Sequence, residues 1–127
     1  MTQKKILLVE TDDSLREIVA YVLKDEGFDV IKADPDMAFL MKYTTADLIL
    51  LDEWVNREGG DMMCREIKAV HELQHIPVVI LSTAINIEEI VESCKADGFV
   101  RKPFDVDDLL GEVKRCLKTG LGQSAFA

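Results

Sequence analysis

Glu10, Asp52, Ser82 and Lys102 each follow or close a short apolar run, and between them they offer two carboxylates, a hydroxyl and an ammonium. Thr11, Asp12 and Asp13 come directly after the first of these residues, and Glu53, Trp54, Val55 and Asn56 after the second. Hard oxygen ligands of this kind suit Mg²⁺, which binds through one or two carboxylates and keeps several waters. A hydroxyl and an ammonium beside them suit a phosphoryl group, whose spread negative charge needs donors and cations. The chemistry implied is a phosphoryl group held on Asp52, provided that the four runs end side by side.

The elements needed to bring them together are legible. Residues 6–9 are continuously apolar, as in a strand buried on both faces. From Ser14 onward Leu15, Ile18, Val19, Val22 and Leu23 recur at helical spacing, and Gly27 is a stop signal. Next come a strand over 28–33, a weaker helix over 36–44 and a strand over 47–51 that ends in Asp52. Met63, Ile67 and Val70 mark a third helix, and Pro77 opens a fourth strand at 78–81. Ile87, Ile90, Val91 and Cys94 line a fourth helix, and 98–101 is a short fifth strand. Val106, Leu109, Leu110, Val113 and Leu117 give the fifth helix the clearest stripe. Five strand–helix units without repeat or linker predict one doubly wound α/β domain over 1–118 with a parallel sheet, and a flexible tail over 119–127. Ligands of such sheets bind beyond the carboxyl ends of the strands, where all four residues fall.

Composition narrows the function further. The chain has 127 residues, enough for one domain with its own core. Its net charge of −9 repels nucleic-acid backbones and anionic membranes, so neither is an expected partner. No apolar run is long enough for a membrane span or a signal peptide, which predicts a cytoplasmic protein. Cys64, Cys94 and Cys116 are odd in number, lie far apart and sit in apolar-periodic stretches, so they read as buried free thiols. His71 and His75 read as solvated residues without a metal-site neighbourhood.

The segments KILLVE at 5–10, DLILLD at 47–52, IPVVILS at 76–82 and GFVRKPF at 98–104 together resemble the response-regulator receiver domain of two-component signalling. The resemblance covers residues 4–118. It implies a flavodoxin-like fold: a five-stranded parallel sheet in the order 2-1-3-4-5 with five helices. It also implies that Asp52 is the phospho-acceptor and that Lys102 pairs with the phosphoryl oxygens. The Lys102–Pro103 peptide resembles one that is cis in the family. By the same resemblance Ser82 supplies the hydroxyl that closes on the phosphoryl group, and Phe99 is the aromatic switch residue. Glu10, Asp52 and the Trp54 backbone carbonyl match the Mg²⁺ ligands. Taken singly the residues read more plainly: Asp52 as a loop cap, Lys102 as a solvated lysine, Ser82 as a helix cap and Phe99 as core.

The pattern breaks at Thr11, where the family carries a second metal-binding acid. A neutral hydroxyl there weakens the site, so Mg²⁺ affinity is expected to be low. The register through Ser14–Glu17 has no gap, so Asp12 does not slide into that place, and Asp12 and Asp13 read as N-terminal charges of the first helix. Asn56 stands where proline is common, Gly59–Gly60 replaces Asp–Gly, and Lys95 takes a frequent glycine position.

The function implied is that of a stand-alone receiver, not an enzyme, that takes a phosphoryl group from a sensor histidine kinase or a histidine phosphotransferase. It would self-phosphorylate from small phosphodonors, lose the group slowly, and signal to a downstream target protein through helix four, strand five and helix five. Trp54, two residues past Asp52, would overhang the phosphoryl group. The alternative is a degenerate receiver that binds its partner without phosphorylation, which Thr11 favours. A phosphatase with a nucleophilic aspartate would need a second aspartate shortly after Asp52, and there is none.

Overall fold

A computed structural model describes residues 3–55 and 58–126, with the side chains at 54, 55, 58 and 119–126 outside the described set. The main strands are β1 (Lys5–Val9), β2 (Asp29–Lys32), β3 (Leu48–Asp52), β6 (Val78–Ser82) and β7 (Gly98–Arg101). Two short strands, β4 (Trp54–Val55) and β5 (Glu58–Gly59), form a separate antiparallel ladder after β3 that the sequence reading does not anticipate. The helices are α1 (Asp13–Asp25), α2 (Met37–Leu40), α3 (Gly60–Ala69), α4 (Ile87–Cys94) and α5 (Val106–Phe126).

The main sheet is parallel throughout and ordered β2-β1-β3-β6-β7, which is the 2-1-3-4-5 order once the small ladder is left out of the count. Strands β3 and β6 are buried at every residue, because helices cover both faces. Alternate residues divide between two cores. Leu7, Val9, Ile49, Leu51 and Ile80 pack with Leu40, Ile67 and Ile87 from α2, α3 and α4. Ile6, Leu8, Leu48, Leu50 and Val79 pack with Val19, Leu23, Leu109 and Val113 from α1 and α5.

Register sets the height of the strand ends. Val9 pairs with Leu51, Asp52 with Leu81, and Ser82 with Arg101. Glu10, Asp52, Ser82 and Lys102 therefore finish on one rim, beside the point where the strand order reverses between β1 and β3. Gly60 holds the β3–α3 connection against that rim. Its N–H donates to the Glu53 carbonyl at 2.7 Å, and a Cβ there would collide with the Asp52 carbonyl oxygen.

Several local expectations shift. The weak second helix, predicted over 36–44, is a single α-turn capped by the Asp36 carboxylate and followed by a 3₁₀ turn at Met41–Tyr43. Gly27 adopts φ +101 after α1, as a stop requires. Lys95 takes the left-handed conformation, φ 64, at the C-cap of α4, the position where the family favours glycine. All three cysteines are buried and free, and both histidines are exposed. Helix α5 carries helical backbone past Thr119, where loss of apolar periodicity predicts a tail. The stripe ends because Leu117 is the last described residue packed on the core, not because the helix stops there. Among the described residues no helix is long and apolar enough to cross a membrane.

Edge strand β7 is tied to α5 through Glu112. The Phe99 N–H donates to Glu112 Oε2 at 3.0 Å, which satisfies an edge donor, and Arg115 Nε donates to Glu112 Oε1 at 2.7 Å. The Arg115 hydrogen bond holds the Glu112 carboxyl below its ordinary value against the opposing effect of burial. A carboxyl with a lowered folded pKa stabilises the fold above its unfolded pKa, and the contribution is lost as pH falls through the folded value. Glu112→Ala is expected to destabilise the protein by about 1–2 kcal/mol near neutral pH. Urea unfolding should show this gap closing as pH drops below 4.5.

Candidate functional site

Among the described residues, the buried polar or charged side chains are Glu10, Asp52 and Ser82. All three stand on the carboxyl rim of the sheet, where polar burial serves no packing purpose and must be satisfied chemically. Their partners define the site.

Asp52 stands at the end of β3 with both oxygens engaged. Oδ1 accepts the Lys102 ammonium at 2.8 Å and the Glu53 N–H at 2.9 Å. Oδ2 accepts the Thr11 hydroxyl at 3.0 Å. Lys102 reaches across from the segment after β7, where its N–H donates to the Ser82 carbonyl at 2.8 Å and the Lys102–Pro103 peptide is cis. Its ammonium also lies 3.6 Å from Glu10 Oε1. Burial alone would pull the Lys102 pKa down, but the Asp52 hydrogen bond and the nearby Glu10, Asp52 and Glu53 carboxylates outweigh it and raise it. The lysine therefore stays charged.

Glu10 is fixed from the β1–α1 turn. Its carbonyl accepts Arg16 Nη1 at 3.1 Å, and its Oε2 accepts the Asp12 N–H at 3.2 Å. Burial raises the Glu10 carboxyl above its ordinary value; the Asp12 N–H opposes this, and neighbouring Asp52 adds to the rise. Glu10 Oε1 is buried without a hydrogen-bond partner. Asp12 does not enter the pocket, because its carboxylate caps α1 by accepting the Leu15 N–H at 2.8 Å.

An orphaned carboxylate oxygen on Glu10 beside Asp52 fits a hard divalent cation, as does a donor set made wholly of oxygen. Among the described residues, however, no group of three or more His, Cys, Asp or Glu is placed to hold a metal. Thr11 stands where a third acid would complete such a set.

Ser82 ends β6 and does not contact Asp52. Its hydroxyl donates to Glu53 Oε2 at 2.9 Å and accepts the Ala84 N–H at 2.9 Å. Glu53 also accepts the Thr83 N–H at 3.1 Å and the Thr83 hydroxyl at 3.1 and 3.3 Å. Phe99 is half-buried at the edge of the core, with the Arg101 guanidinium 5.4 Å from its ring centroid. Arg101 also donates to the Ala84 carbonyl at 3.3 Å and to Glu88 at 2.6 Å, so it links the end of β7 to the β6–α4 loop.

Comparison with known proteins fits this arrangement. Residues 6–114 match the family model of the response regulator receiver domain. The chain belongs to that family. A curated relative, the phosphate regulon transcriptional regulatory protein PhoB of Escherichia coli, is 31% identical over 119 residues, which are 91% of this chain and 52% of PhoB. The receiver thus spans about half the length of the curated relatives it matches. The solved structure of NtrX from Brucella abortus superimposes with a TM-score of 0.81 at 32% identity, covering 98% of this chain and 29% of that one. The signal receiver domain of a histidine kinase from Syntrophus aciditrophicus gives 0.78 at 28% identity, covering 91% of both chains.

In this receiver Glu10, Thr11, Asp52 and Lys102 meet, while Ser82 stands on the same rim bonded to Glu53, and Phe99 lies below the rim, paired with Ile80 within the sheet. The Trp54 backbone lies in β4, and its side chain, like all of Asn56, is outside the described residues. The residue that sequence reasoning left without a role is Glu53. An acid directly after the strand-ending aspartate was the available signal, since it projects from the same rim.

Proposed function

We propose that the chain accepts a phosphoryl group on Asp52 from a phosphohistidine of a sensor histidine kinase or histidine phosphotransferase, and passes the signal to a downstream protein in the cytoplasm. The observation that carries this reading is the 2.8 Å contact of Lys102 with Asp52 on a rim holding the described buried polar residues. An Asp52 oxygen would form the new P–O bond while the P–N bond breaks, its electron pair leaving with the imidazole. Lys102 would neutralise the phosphoryl oxygens without reorganisation, because it is already held in place. Glu10, Asp52 and the Trp54 carbonyl would hold Mg²⁺, which when bound supplies positive charge to those oxygens. Ala84 offers no polar group to orient a hydrolytic water, which supports a long-lived phosphoryl group. The output surface is α4, β7 and α5, with Arg101 joining the site to the first of these.

A second reading, phosphorylation-independent partner binding, has its own observation: Thr11 replaces an acid and donates to the acceptor oxygen of Asp52. Incubation with acetyl phosphate and Mg²⁺ separates the two. Intact-mass analysis is expected to show one added phosphoryl group on the wild type and none on Asp52→Asn. No addition at high Mg²⁺ would favour the interaction module.

Thr11 also sets the metal affinity on this reading. A restored charge beside a partly buried divalent ion is worth about 1–3 kcal/mol, judged from the size of opposite-charge pKa shifts. Thr11→Asp should therefore bind Mg²⁺ about 10–100-fold more tightly, read from the emission of the sole tryptophan. Matched titrations would show that residue 11 does not control the site.

A further inference from the structure

We propose that Glu53 is a built-in ligand of the β6–α4 loop, occupying the hydroxyl and N–H donors that a phosphoryl group on Asp52 would otherwise take. This rests on the reading of Asp52 as acceptor. Glu53 is placed by its backbone, whose N–H lies 2.9 Å from both Asp52 Oδ1 and the Leu81 carbonyl oxygen. From that fixed point its carboxylate accepts the Ser82 hydroxyl at 2.9 Å, the Thr83 N–H at 3.1 Å and the Thr83 hydroxyl at 3.1 Å. These donors stand at and just past the end of β6, the strand that neighbours β3 and the Asp52–Lys102 pair.

Proton count makes the occupancy exclusive. A serine hydroxyl has one proton to give, and that of Ser82 is given to Glu53 while its oxygen accepts the Ala84 N–H. The Thr83 N–H likewise has one proton. A phosphoryl group can take these donors only when the Glu53 carboxylate leaves, and like-charge repulsion drives it the same way. Departure is open to it: Glu53 is half-exposed, and it borders a cavity of about 180 Å³ with Ser82, Ala84, Ile87 and Ile90. Before phosphorylation the loop leading into α4 is thus already engaged by a carboxylate, and phosphorylation exchanges one anion for another.

The test compares wild type, Glu53→Gln and Glu53→Ala. Glutamine keeps an acceptor oxygen and loses the charge, whereas alanine loses both. Without any phosphodonor, amide hydrogen exchange at Thr83 is expected to accelerate at least tenfold in Glu53→Ala and less in Glu53→Gln. With acetyl phosphate and Mg²⁺, phosphoryl uptake is expected to be several-fold faster in Glu53→Ala than in wild type, with Glu53→Gln between them. Equal Thr83 exchange in all three proteins would overturn the proposal. Equal uptake by the two variants would also overturn it, because charge alone would then account for the effect. If no protein gains a phosphoryl group, the acceptor reading fails and the competition falls with it, while exchange at Thr83 still decides whether Glu53 holds the loop.

Discussion

The site depends on one ammonium. Lys102 lies 2.8 Å from Asp52 and 3.6 Å from Glu10, two carboxylates buried at adjacent strand ends. Two like charges taken out of water beside each other are unfavourable unless a counter-charge is held nearby. Lys102 is that counter-charge, and its own position follows from the register of β6 and β7 and from the Lys102 N–H bonded to the Ser82 carbonyl. The parallel sheet is therefore what brings residues fifty positions apart in the chain into contact.

Around that pair two side chains shape the crevice on opposite flanks, and in opposite senses of charge. Thr11 removes an acid on the β1 side and places a neutral donor on Asp52 Oδ2. Glu53 places an acid on the β6 side, turned onto Ser82 and Thr83. Negative charge is thereby shifted away from the place where a divalent cation would sit and toward the place where phosphoryl oxygens would find donors. Both features oppose stabilisation of a phosphoryl group, the first by weakening cation binding and the second by occupying donors. The chain is thus a receiver in which the Asp52–Lys102 pair is formed while the donors beside it are held by Glu53.

Much of the fold was legible because both-face burial leaves an unambiguous trace. The runs at Lys5–Val9, Leu48–Asp52 and Val78–Ser82 are apolar almost throughout, and their polar ends mark the rim. The stripe of α5 shows its packing face but not its end, since backbone helicity continues beyond Leu117, the last described side chain that touches the core. Elements with little apolar content were less legible. The second helix shrinks to a turn, and the β4–β5 ladder has no period to read. At the site, residue types identified Glu10, Asp52 and Lys102, whose partners follow from strand order. They did not reveal that Ser82 would bond Glu53, because that depends on which way one flexible carboxylate turns among several nearby donors.

The central claim is that Lys102 and Asp52 act as one coupled unit. A double-mutant cycle of Asp52→Asn and Lys102→Met, followed by urea unfolding at neutral pH, measures that coupling directly. Lys102→Met alone leaves Asp52 and Glu10 facing each other, whereas in the Asp52→Asn background Glu10 no longer faces that second carboxylate. The account predicts that the loss from Lys102→Met shrinks in that background, by a coupling of about 1–3 kcal/mol. Losses that add to within about 0.5 kcal/mol would contradict it, and would mean that the ammonium and the carboxylate are neighbours without being partners.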